Sequence, residues 1–92
     1  MTVFSAKKVE KALEKVGYIN ENGDHNRYRL YIDGKRTDIR TKTSHNGQDI
    51  GDDLIASMAR QIHLSKRDFI KLVNGHISKD EYIEILKINN II

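Results

Sequence analysis

Two dipeptides, Asn22-Gly23 and Asp33-Gly34, limit what this chain can fold into more than any other feature. Asn-Gly and Asp-Gly are the favoured pairs for two-residue hairpin turns, because both central residues need positive φ. Between and after them the sequence alternates apolar and polar residues, the period-two pattern of a strand with one buried face. The spacing predicts a three-stranded antiparallel meander: Tyr18 to Glu21, Asp24 to Ile32, and Lys35 to Thr41.

Two-residue turns also fix a register. Asn20 is expected opposite His25 and Tyr18 opposite Arg27. Across the second turn Tyr31 should face Arg36, Arg29 should face Asp38, Arg27 should face Arg40, and His25 should face Lys42. One sheet face then carries His25, Arg27, Arg29, Tyr31, Arg36, Asp38, Arg40 and Lys42; the other carries Ile19, Tyr28, Leu30, Ile32, Thr37 and Ile39. A slip of one residue would bury the arginines. The apolar face is expected against helices, leaving the basic face as the working surface.

Helical signals flank the meander. Ser5 reads as an N-cap, with Phe4 and Val9 placed for a hydrophobic staple. Val9, Ala12, Leu13 and Val16 form one apolar stripe, and Gly17 stands where a left-handed cap belongs, giving a helix over 6–16. Thr43 to Gly47 reads as a loop. A second helix should begin between Asp49 and Asp53, whose acids suit the positive end of the helix dipole, with Ile50, Leu54, Ile55, Met58 and Ile62 buried. Ser65 to Asp68 opens a short helix ended by Asn74-Gly75, and the fuller capping box Ser78 to Glu81 opens a last one, with 89–92 expected to fray. The order is α-β-β-β-α plus two short helices, an α+β two-layer fold of the kind found in double-stranded-RNA-binding domains. The expected organisation is one domain over 1–92, with a core over 5–64 and a helical extension over 65–92.

Composition narrows the function. At 92 residues the chain buries a modest core, a little over ~60% of its unfolded surface. Without cysteine it has no disulfide or thiolate metal site, and a reducing, cytoplasmic setting is expected. No apolar run approaches the ~20 residues that span a bilayer, so no membrane role is expected. The net charge is only +3, but six Lys or Arg stand against two Asp between Arg27 and Lys42. Such concentration on one face suits a polyanion.

The run Gly17-Tyr18, then Gly23-Asp24-His25, the Asp33-Gly34 hairpin, a third strand leading to His45 and a helix after it resembles the HicA-type toxins. The likeness covers about Ala6 to Leu72. It departs from the family pattern at Asp24, where a Ser is usual, and at Thr43, where a Pro is usual. The resemblance implies a ribonuclease that cleaves messenger RNA without a required metal, held inactive by a HicB-type antitoxin. It implies His25 as the catalytic residue and the basic face as the RNA seat.

The chemistry is coherent with that. Metal-free RNA cleavage needs a neutral base within reach of the 2′-OH. Cations around His25 favour the free imidazole and would stabilise charge building on the phosphate. Arg27, Arg29, Arg36, Arg40 and Lys42 are the phosphate-contact candidates, and Tyr31, with Tyr18 near the edge, could stack an unpaired base. His45 could protonate the leaving 5′-oxygen or contact phosphate. His63 and His76 share no motif. No carboxylate or histidine cluster has ligand spacing, so neither metal nor cofactor is expected. Two alternatives stay open: a non-catalytic RNA-binding module, favoured by Asp24, and a protein adaptor using the helices around Phe69 and Tyr82. Self-association is left open.

Overall fold

A computed structural model describes residues 3–20, 27–42 and 49–92. The described elements run α1 (Ala6–Lys15), β1 (Tyr18–Asn20), β2 (Arg27–Ile32), β3 (Lys35–Lys42), α2 (Asp52–Gln61), α3 (Lys66–Val73) and α4 (Lys79–Ile88). The strands form one antiparallel sheet in the order β1-β2-β3. This is the α+β arrangement expected from the turn and capping signals.

The helix caps follow the sequence. Ser5, Ser65 and Ser78 each accept a bond from the backbone three residues on, and Ser78 with Glu81 completes a reciprocal capping box. Three helices close with the paired 6→1 and 5→2 bonds of a Schellman motif: Leu64 to Ala59, His76 to Lys71, and Ile91 to Leu86 carry the longer ones. The last of these closes the turn at 86–91, which includes part of the segment expected to fray. The left-handed residue is glycine in only one of the three, Gly75; the others are His63 and Asn90.

The two register expectations meet different fates. At Asp33-Gly34 both φ values are positive, 51° and 79°, and Tyr31 faces Arg36 as expected. Further along, β3 carries two extra residues. Arg29 pairs with Arg40 rather than Asp38, and Arg27 pairs with Lys42 rather than Arg40. A bulge around Thr37 absorbs them. The Thr37 hydroxyl donates to the Leu30 carbonyl at 2.7 Å and accepts from the Ile39 N–H at 3.2 Å, taking over ladder positions. Because the shift is even, the inward and outward sets of β3 survive.

The β1–β2 register is the larger correction. Asn20 pairs with Tyr28 and Tyr18 with Leu30, not with His25 and Arg27. That shift is odd, so the faces of β1 swap. Tyr18 is buried at 2% exposure, whereas Ile19 is 51% exposed on the open face opposite Arg29. The cause is tertiary. The Tyr82 hydroxyl donates to the Ile62 carbonyl at 2.9 Å, and its oxygen lies 2.6 Å from the Tyr18 hydroxyl. Tyr82 has one proton and gives it to Ile62, so Tyr18 donates to Tyr82. No polar partner of that kind could serve an inward Ile19.

That chain of hydroxyls also docks α4. Phe69, Tyr82 and Leu86 are fully buried in the same core cluster as Leu13, Leu30 and Ile55. Helices α3 and α4 thus complete the apolar layer behind the sheet. At the other edge, Phe4 and Ile50 exchange backbone bonds of 3.0 and 2.7 Å, tying the start of the chain to the entry of α2.

Candidate nucleic-acid interface

Period-two alternation survives in β2 and β3 as burial. Tyr28, Leu30, Ile39 and Thr41 are buried; Arg27, Arg36, Asp38, Arg40 and Lys42 are exposed; Arg29 and Tyr31 are half-buried. The sheet therefore presents its basic face outward. A groove of about 580 Å³ is lined by Arg27, Arg29, Arg36, Arg40 and Lys42 of that face together with the inward Tyr28 and Thr41 and Gln61 of α2. All five basic residues expected to contact phosphate line it. Tyr31 sits beside Arg36 in the ladder, at the hairpin end and outside that lining.

The bulge sharpens the groove. It places Arg40 opposite Arg29 and Lys42 opposite Arg27, so Asp38 does not take its expected place opposite Arg29. Four cations thus stand in two facing pairs, an arrangement complementary to a polyanion lying across them. Arg29 is held in place, its Nη1 donating to the Thr37 carbonyl at 2.9 Å.

Three uncharged residues, Tyr28, Thr41 and Gln61, complete the lining. Burial, then the charges of Glu10 and Glu14 and a bond to Glu10, push the Tyr28 hydroxyl up to about 12, against a smaller opposite effect of Asn20. Tyr28 therefore stays protonated at neutral pH. The Thr41 hydroxyl donates to Gln61 Oε1 at 2.7 Å. Sequence reasoning missed both residues of this pair. The alternation of β3 could have marked Thr41 as inward; nothing local marks Gln61, which arrives from α2.

Other expected residues fall elsewhere. His25, His45, Asp24 and the Asn22-Gly23 turn lie outside the described residues. In the chain His25 stands two residues before Arg27 and His45 three after Lys42, and both of those cations line the groove. Tyr18 is buried and cannot stack a base at the surface. Phe69 and Tyr82 are fully buried too, so any contact surface on those helices is made by other residues. His63 and His76 are exposed at helix ends. Among the described residues no group of three His, Asp or Glu is placed to hold a metal, and no helix is long and apolar enough to cross a membrane.

Fold and groove together define a small α+β protein with a solvent-facing, arginine-lined sheet. The family model described as "HicA toxin of bacterial toxin-antitoxin" matches residues 6–64, from the start of α1 to just past α2, and the chain belongs to that family. It is therefore a toxin of a toxin–antitoxin pair, and its family implies an antitoxin partner. Neither the curated proteins nor the solved structures yield a match. Helices α3 and α4 lie beyond the matched span.

Proposed function

We propose that this toxin is a metal-independent endoribonuclease acting on messenger RNA in the cytoplasm. The observation that supports it is the pairing of Arg27 with Lys42 and of Arg29 with Arg40 along one groove. The phosphates of a single strand would lie along those cations, with Arg36 extending the track. His25 acts as base on the 2′-OH. The 2′-oxygen bonds to phosphorus as the 5′-oxygen leaves, taking a proton from His45 or water, so the products are a 2′,3′-cyclic phosphate and a 5′-hydroxyl. A HicB-type antitoxin inhibits by covering the same face.

The test is a labelled messenger RNA fragment incubated with the full chain in EDTA. Wild type should give cyclic-phosphate ends, and His25→Ala should lose cleavage by at least 100-fold, the usual scale for an acid–base residue, with an unchanged melting curve. Equal cutting by the variant would remove His25 from the mechanism. A second reading, an RNA-binding module without catalysis, is favoured by Asp24 in place of the family's Ser. It predicts salt-sensitive RNA binding and no products from wild type.

A further inference from the structure

A second groove lies in the helical layer and shares no lining residue with the first. It holds about 480 Å³ between α1, α3 and the turn into α4. Its floor is apolar: Ala12, Val16, Leu72, Val73 and Ile77. Its rim carries Lys8, Lys11, Lys15 and Lys79, and its lining includes no Asp or Glu. Lys8, Lys11 and Lys15 repeat at i, i+3 and i+7, a single stripe on α1 about 10 Å long. Lys8 Nζ also bonds Asn74 Oδ1 at 3.1 Å, joining the stripe to the end of α3.

We infer that this groove docks an acidic amphipathic segment of the antitoxin. Charge complementarity selects the occupant. Four ammonium groups above an apolar floor match a helix of two to three turns that buries apolar side chains and turns carboxylates to the rim. Nucleic acid fits less well. The lining offers no arginine fork for a phosphate and no aromatic ring for a base, the two devices that hold single strands. The antitoxin is the protein partner that family membership brings. Contact here would leave the sheet groove's cations untouched, so the partner would hold the toxin at two separate surfaces. The inference stands on family membership and the groove alone; whether the chain cuts RNA does not enter it.

The test titrates the full chain, as wild type and as Lys11→Glu/Lys15→Glu, with its cognate antitoxin and separately with a 12-nucleotide single-stranded RNA. Both lysines are exposed, and a circular-dichroism melt checks that the fold is kept. The antitoxin Kd should rise at least tenfold while the RNA Kd changes less than twofold. The milder pair Lys11→Gln/Lys15→Gln should raise the antitoxin Kd about threefold, which guards against a folding defect in the reversal. An antitoxin Kd within twofold of wild type overturns the inference. So does weakening of RNA binding alone, which would make the groove a nucleic-acid track, or equal weakening of both, which would reduce it to a diffuse field.

Discussion

Single residues decide more here than their neighbours in sequence suggest. Tyr82 is the clearest case. Its hydroxyl bridges the Ile62 carbonyl and the Tyr18 hydroxyl, and both phenols are buried. Tyr82→Phe leaves a buried carbonyl and a buried hydroxyl without their partner, at about 1–3 kcal/mol for an orphaned group. Tyr18→Phe removes only an outer donor, and Tyr82 keeps its bond to Ile62, so about 1 kcal/mol is expected. Urea unfolding of the two variants should rank them in that order; equal losses would mean that the proton order along the chain is wrong. His63 offers the opposite sign. It holds φ 63° at the left-handed closing position of α2 and is exposed. A non-glycine residue there costs roughly 1–2 kcal/mol of backbone strain. His63→Gly should therefore raise the unfolding free energy, by up to about 1 kcal/mol after glycine's own entropy is counted. A fall in stability would show that the His63 side chain makes a compensating contact.

At the scale of elements, capping and turn chemistry were legible because they are local. Ser5, Ser65, Ser78 and Asp33-Gly34 behave as their own sequence neighbourhoods dictate. Register was less legible. In β1 the adjacent Tyr18 and Ile19 give no alternation, so either could face inward, and the choice falls to Tyr82, 64 positions away. In β3 the bulge depends on the Thr37 hydroxyl finding the Leu30 carbonyl, which nothing in a strand pattern announces. The basic surface was nonetheless found, since an even shift keeps outward residues outward. Two predictions follow from that bulge and from the facing cations. Thr37→Val keeps the shape but strands the Leu30 carbonyl, so it should cost about 1–3 kcal/mol and weaken RNA binding if the cations lose alignment. Arg40→Thr relieves the charge facing Arg29, and should leave stability unchanged or raise it by a few tenths of a kcal/mol. In the same variant the slope of log K against log salt for single-stranded RNA should shrink by about 0.7, the share of one phosphate contact. An unchanged slope would place Arg40 outside the RNA path.

For the whole molecule, the same buried phenols make the fold sensitive to alkali. Burial raises Tyr18 and Tyr82 well above the ordinary tyrosine range; in Tyr18 the neighbouring Tyr82 adds to the rise, while in Tyr82 the bond from Tyr18 opposes it. Tyr28 in the groove lining is pushed up to about 12, by burial first. In the unfolded chain all three titrate near pH 10. Between about pH 10 and the folded values the native state therefore holds protons that the unfolded state has released, and stability falls as pH rises. Tyr18 and Tyr82 together contribute a slope of about 3 kcal/mol per pH unit once the unfolded phenols are ionised, and Tyr28 adds a smaller share that fades near pH 12. Below about pH 9 none of the three contributes a slope. For a domain with a typical reserve of 5–15 kcal/mol, unfolding should set in within a few pH units of 10. The measurement is a series of urea midpoints from pH 7 to 11.5 on wild type and Tyr18→Phe. Wild type should be flat with respect to these groups up to about pH 9 and then drop steeply. The variant, weaker throughout, should drop less steeply by about 1.4 kcal/mol per pH unit, the share of one phenol. A wild-type midpoint that holds level to pH 11 would mean that Tyr18 and Tyr82 reach solvent, and the hydroxyl chain that docks α4 onto β1 would fall with it.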